Sequence, residues 1–212
     1  MKVTVLVENT APQDSALTPE HGLSLYIQYR EHRILLDAGA SQAFAHNAQA
    51  LGIDLKQVDL AVLSHGHYDH VGSAKALQAE WNAKLYCEKA DLAGDRMYPL
   101  SAADCGYAEG ESIAVDELTF TVWHTPGHTP GSVVLLCENY LFVGDTVFQG
   151  SIGRTDLEGG SSAQMAESLR KLAKLPIPRE TQVLPGHGEF STFGEELDNN
   201  YFIRSAQRGG EL

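Results

Sequence analysis

The sequence predicts an α/β protein of two packed β-sheets with helices outside, and three observations predict it. β-branched and apolar runs of strand length recur in two groups along the chain. Apolar positions at helical spacing follow each group. No Pro- or Ser-rich linker and no short repeat divides the 212 residues, so residues 1–212 are read as a single domain.

The first group opens with the β-branched run Lys2–Val7 and continues with a strand pair, 23–27 and 33–36, across a polar turn near Arg30-Glu31-His32. Ser41 offers an N-cap to a short helix whose apolar positions are Phe44, Ala48 and Leu51, and Gly52 supplies its stop. A strand at 58–63, a helix at 72–81 and a strand at 84–87 follow, whereas 91–110 has no clear period and reads as a loop. The second group holds strands at 118–123, 132–137 and 140–143, the last two joined by a turn at Glu138-Asn139. Met165, Leu169 and Leu172 mark a helix over Ser162–Leu172, and a last strand, 181–184, ends at Pro185.

Composition removes several function classes. Lys+Arg number 15 against 28 Asp+Glu, a formal charge of −13, which repels polyanions and argues against nucleic acid as a partner. At 43% hydrophobic and 20% charged residues, the chain is composed like a globular protein rather than a disordered one. Cys87, Cys105 and Cys137 are odd in number and lack C-x-x-C spacing, so neither a disulfide framework nor a Cys-rich zinc site is expected. The N-terminus lacks an apolar export segment, no run is long enough to span a membrane, and a reduced cytoplasmic location is expected.

Chemistry concentrates at Ser64-His65-Gly66-His67-Tyr68-Asp69-His70, where three imidazoles and one carboxylate lie within six residues directly after an apolar run. A single His is usually an ordinary surface or core residue, but such density is not needed for packing. Other strand-like runs end similarly: 118–123 leads to Thr125-Pro126-Gly127-His128, 140–143 to Gly144-Asp145, 181–184 to Pro185-Gly186-His187, and 33–36 to Asp37. Residues at equivalent strand ends converge on one rim, so His65, His67, Asp69, His70, His128, Asp145 and His187 are expected to meet. Seven nitrogen and oxygen donors exceed one catalytic zinc site, which takes three protein ligands, and two metals are the natural reading. Imidazole and carboxylate without thiolate suit Zn and also Fe or Mn.

The ordered set HGHYDH, HTPGHT, FVGDT and LPGHG resembles the metallo-β-lactamase superfamily of binuclear metallohydrolases along most of the chain. The resemblance implies that family's four-layer αβ/βα sandwich, two mixed sheets with outer helices. It also implies that His65, His67 and His128 hold one metal, that Asp69, His70 and His187 hold the other, and that Asp145 bridges them. Zn is the first choice, with Asp37 of the L-L-D-A-G stretch orienting a ligating His from behind. A turn-capping role is the alternative for Asp37. Two such cations lower the pKa of a shared water, giving a hydroxide placed to attack a carbonyl while Asp69 orients it or accepts its proton.

Asp145 stands where true metallo-β-lactamases carry Cys or Ser, which disfavours antibiotic hydrolysis. From about Gly110 onward, F-Q-G-S-I-G-R-T-D, L-P-G-H-G and S-T-F-G-E-E are similar to short glyoxalase II-like proteins, which implies hydrolysis of a hydroxyacylglutathione-type thioester. The C-terminal helical domain of full glyoxalase II is not matched in the stretch after His187, so specificity for glutathione is not carried over. His21-Gly22-Leu23-Ser24 and N-A-Q-A-L-G-I-D (47–54) look more like another branch, which includes pterin-related synthases. The alternatives are a persulfide dioxygenase using one iron at His65, His128 and Asp145, and a lactone or other ester hydrolase of the same fold.

Tyr68 and Arg154 are candidate pocket residues; their alternatives are packing for Tyr68 and an ion pair with Asp156 for Arg154. Met97 and Tyr98 either line an entrance or cap the core. His124 reads as a strand-end packing residue, and His21, His32 and His46 as surface residues. The expected partner is a small thioester or ester, with neither nucleic acid nor membrane, for a monomer or homodimer.

Overall fold

The computed structural model describes residues 1–81, 83–210 and 212. The chain divides into two compact units, Met1–Tyr107 and Ala108–Leu212. In the first, β1 (Lys2–Val7), β2 (Ser24–Tyr29), β3 (His32–Leu36), β4 (Leu60–Val62) and β5 (Lys84–Tyr86) form a sheet in that order. β1 to β3 pair antiparallel and β3 to β5 parallel. The β2–β3 turn is tight because Arg30 takes a positive φ of 50°. Residues 34–36 of β3 and all of β4 are buried, which explains why Ile34-Leu35-Leu36 and Leu60-Ala61-Val62 read as unbroken apolar runs.

Helix α1 (Ala43–Ala50) buries Phe44 and Ala48, and Gly52 follows its end at φ +71°. Its N-cap is Gln42 rather than Ser41, with no cap bond from the Gln42 side chain; the Ser41 hydroxyl donates to the Glu20 carboxylate and accepts Ala43 N at 3.2 Å. The helix expected over 72–81 is present as α3 (Ala74–Trp81), and a short helix that was not expected, α2 (Tyr68–Val71), precedes it with Gly72 and Ser73 between them. A Cβ at Gly72 would lie 2.2 Å from Ala40 O, so this break lets two backbones touch. Residues 92–107 form no helix and no named strand, apart from a bridge between Tyr86 and Cys105.

The second unit holds β6 (Ser112–Val115), β7 (Leu118–His124), β8 (Val133–Cys137), β9 (Tyr140–Gly144), β10 (Gln182–Pro185) and β11 (Ser191–Thr192). The sheet order is β11-β10-β9-β8-β7-β6, with only β9 and β10 parallel. Between them, α4 (Ser162–Leu172) is capped by Ser161 Oγ and buries Met165, Leu169 and Leu172. Each contributes on the order of 1.5–3 kcal/mol of apolar burial. The sequence reading missed β6 and β11, which are short or half-exposed, and α5 (Phe193–Asn199) and α6 (Tyr201–Gln207). A capping box, Thr192 with Glu195, starts α5, and Asn200 Oδ1 starts α6; both signals are in the sequence. Each unit is thus a mixed sheet with helices, the α/β class expected.

Candidate metal centre

In the first unit the parallel pair β3 and β4 ends on one edge, so Asp37 and Ser64-His65 emerge side by side. Asp37 takes a φ of +57°, within the left-handed region where a short polar side chain is tolerated. It is fully buried, and its carboxylate accepts three bonds of 2.7 Å, from Ser64 N, Ser64 Oγ and His70 Nδ1. Because the Ser64 hydroxyl donates to Asp37, its lone pair receives His65 Nδ1–H at 3.1 Å. Both imidazoles therefore carry the proton on Nδ1, which leaves each Nε2 as a lone-pair donor.

His65, His67 and His70 are buried, with ring centroids 5.1 Å apart for His65 and His67 and 4.2 Å for His65 and His70. His67 packs on Tyr98 at 5.1 Å, and Gly66 N donates to buried Asp91 Oδ2 at 2.8 Å. Asp91 had no sequence signal, lying in an aperiodic stretch. A Cβ on Gly66 would stand 2.5 Å from the Asp91 Cβ, so this glycine lets the His-rich turn close on its support. Beneath the turn, the Tyr107 hydroxyl accepts from Leu63 N at 3.1 Å and lies 2.9 Å from Tyr86 O. Burial holds the Tyr107 phenol well above its ordinary pKa, so it stays neutral.

His21 is a surface residue, as the sequence suggested, but it has a partner that no sequence pattern showed. Its Nε2 lies 3.2 Å from Asp69 Oδ2, with the His21 side chain 65% exposed. The reason is topological: β2 runs antiparallel to β3, so the segment before β2 starts at the edge where β3 ends. Gly22, at φ +131°, presses that segment on Asp69, whose carbonyl oxygen a Cβ would meet at 2.0 Å. His32 is likewise engaged, by Asp59 at 3.2 Å, while His46 is exposed. Tyr68 is 48% exposed, so core packing does not account for it.

In the second unit, β9 and β10 run parallel and β7 runs the same way through antiparallel β8. All three strands end on one edge, which brings His128, Asp145 and His187 together. Asp145 Oδ2 lies 3.3 Å from His128 Nε2 and 3.5 Å from His187 Nε2. His128 Nδ1–H donates to Arg154 O at 2.7 Å, again fixing a tautomer whose Nε2 is free of the proton. His187 meets the Phe148 ring edge at 5.8 Å. Arg154 pairs with Asp156 through two bonds of 2.7 and 2.8 Å on an exposed surface. His124 closes β7, its N–H bonded to Glu109 and its carbonyl to Lys171.

Among the described residues, His21, His65, His67, Asp69 and His70 of the first unit and His128, Asp145 and His187 of the second offer donor atoms suited to a metal ion. The two buried thiols are not prepared for that role. Burial pushes the Cys87 thiol far up, with Asp91 and Asp37 adding to it, and pushes Cys137 up to about 12. No helix among the described residues is long and apolar enough to cross a membrane.

Comparison with known proteins follows the same lines. The sequence profile of the metallo-beta-lactamase superfamily matches residues 17–187, running through both units. The chain is 30% identical over 188 residues to hydroxyacylglutathione hydrolase GloC of Haemophilus influenzae, covering 81% of this chain and 87% of that protein. Among solved structures it is similar to the BLEG-1 B3 metallo-beta-lactamase, with a TM-score of 0.72, 28% identity, and 95% and 99% of the two chains covered. TTHA1623 in a di-iron-bound form is similar with a TM-score of 0.70 and 29% identity, covering 88% of this chain and 97% of that one. The profile match and these likenesses together show that the chain has the metallo-β-lactamase fold and belongs to the metallo-beta-lactamase superfamily.

Proposed function

We propose that the protein is a binuclear metal-dependent thioesterase of the glyoxalase II-like kind. The observation that carries this reading is the donor set: imidazoles whose Nδ1 protons are committed to Ser64, Asp37 and Arg154 O, joined by carboxylates and no thiolate. That set suits a divalent metal of the zinc or iron type. His65, His67 and His128 would hold one ion and Asp69, His70 and His187 the other, with Asp145 shared. When bound, two such ions supply a Lewis acid for the acyl oxygen and an acidified water as nucleophile at neutral pH.

The chain's own residues do the rest. Asp37 holds His70 and, through Ser64, His65 in the ligating tautomer. Asp69 accepts the proton of the attacking water, with one carboxylate oxygen steadied by His21. Water adds to the thioester carbonyl, the C–S bond breaks, and the products are a thiol and a carboxylic acid. Tyr68 and Arg154, both exposed, are the side chains proposed to face the substrate. Likeness to GloC supports the thioester, and the di-iron form of TTHA1623 makes iron a metal to test beside zinc. A cytoplasmic location and a small-molecule partner belong to the same proposal.

The test is metal content by plasma mass spectrometry beside a thiol-release assay with hydroxyacylglutathione, run with zinc and with iron. Close to two metals per chain with thiol release supports the reading. One iron per chain with oxygen uptake on a persulfide overturns it, as does turnover of a β-lactam without thioester cleavage.

A further inference from the structure

We infer that residues 148–154 form a strap that sets the geometry of all three donors of the second unit, and that Asn200 and Glu196 are its positioning residues. The strap reaches each donor in a different way. Phe148 meets the His187 ring edge-on at 5.8 Å. Gly153 lies against Asp145, where a Cβ would stand 1.9 Å from the carbonyl oxygen. Arg154 O takes the Nδ1 proton of His128 at 2.7 Å. Three of the seven residues, Phe148, Gly153 and Arg154, thus touch His187, Asp145 and His128, and a shift of the strap moves all three.

Its anchorage lies in the C-terminal helices. Phe148 and Ser151 exchange two backbone bonds of 3.0 Å, closing a tight loop. Into it reaches Asn200, whose Nδ2 donates to Ser151 O at 2.9 Å and Phe148 O at 3.2 Å, and also to Glu196 Oε2 at 2.9 Å. Glu196 Oε2 in turn accepts Gly150 N at 3.0 Å, so α5 and α6 grip both sides of the loop. Asn200 is 0% and Glu196 3% exposed. Glu196 stands among Leu141, Val143, Val147, Phe193 and Ile203, where an apolar side chain would pack without the cost of burying a carboxylate. A carboxylate kept in such surroundings is explained by the loop that it holds.

The variants separate grip from folding. Asn200→Asp keeps an oxygen to cap α6 at Phe202 N and Ile203 N but removes the amide hydrogens that hold the loop. Phe148→Leu keeps the grip and removes the ring from His187. Thr192→Ala removes the α5 cap without touching the strap and serves as a control for general loosening. Two readouts are taken: histidine side-chain nitrogen NMR on the metal-free protein, and zinc affinity by chelator competition.

Asn200→Asp is expected to move the His128 and His187 signals and weaken zinc binding about 10–100-fold, the usual effect of losing an outer support of a metal site. Phe148→Leu should move His187 alone, and Thr192→Ala should lower the melting temperature while moving neither signal. Unmoved histidine signals in Asn200→Asp, or equal shifts in Thr192→Ala, overturn the inference. Only the zinc readout rests on the metal-centre reading. Wild-type protein that binds neither zinc nor iron defeats that reading, while the metal-free histidine signals still decide the strap.

Discussion

The two units present their donors by different means. In the first, His65, His67 and His70 come from one six-residue stretch, and the side chains of Asp37 and Ser64 orient His65 and His70 through bonds of 2.7 to 3.1 Å. In the second, His128, Asp145 and His187 come from three separate strand ends, and what orients them is mostly backbone: Arg154 O, the close approach of Gly153, and one ring edge. A side-chain support is removed by one substitution, whereas a backbone support yields only to a steric intrusion or to loss of its distant anchors. The units should therefore respond differently to mutation.

The largest effect is expected from Asp37→Ala, which takes the acceptor from three buried donors at once. Each buried donor left unpaired costs about 1–3 kcal/mol. Melting temperature and metal retention should both fall steeply, and Asp37→Asn, which keeps an acceptor and tolerates the positive φ, should fall less. Retention of metal at the wild-type level in Asp37→Ala would sink the side-chain half of the comparison.

Gly153→Ala tests the backbone half. The added Cβ meets Asp145 O, so about 1–3 kcal/mol of stability is expected to be lost together with metal affinity. Gly52→Ala, at φ +71° with open space around it, should cost about 1–2 kcal/mol and leave metal affinity alone. Chemical denaturation beside metal titration distinguishes local damage at the site from general destabilisation.

Tyr107→Phe is a smaller test on the first unit. It removes the buried hydroxyl that accepts from Leu63 N, just before the His-rich turn, at a cost of about 1–3 kcal/mol. Denaturation midpoints of the two proteins decide it; an unchanged midpoint would mean that the turn is held elsewhere.

The smallest effect is expected at the exposed Arg154–Asp156 pair. Hydrogen bonding to Arg154 holds the Asp156 carboxyl down at about 2 against an ordinary 3.8. A depressed folded-state pKa stabilises above the ordinary value, and that contribution disappears as pH falls from 3.8 towards 2. Asp156→Asn should thus melt slightly lower than wild type only above that window, a difference that salt diminishes. The variant leaves Arg154 O in place, so metal retention should not change.

Much of this was legible in the chain itself. The β-branched run Lys2–Val7 and the helical spacing of Met165, Leu169 and Leu172 located β1 and α4 to the residue. β11, with two residues, and α5 and α6, which begin on polar caps, carry too little periodic signal to stand out. The density of HGHYDH and the strand-end contexts of His128, Asp145 and His187 pointed to candidate donors in the sequence itself, since side chains that can bind a metal belong to a few chemical types. Their supports were less visible. Asp91 and Arg154 act through one carboxylate oxygen and one carbonyl, roles that many residues fill without a motif.

By itself, then, the sequence determined the superfamily, the α/β class and the residue types available to a metal, because ligand chemistry and hydrophobic period are local properties. Only the tertiary structure decided which imidazole nitrogen carries the proton, that His21 leans on Asp69, and that Asn200 reaches residues 148 and 151. Those facts depend on strand direction and on hydrogen bonds between residues up to 52 positions apart. Such contacts arise when the chain closes on itself, and no periodicity along it records them.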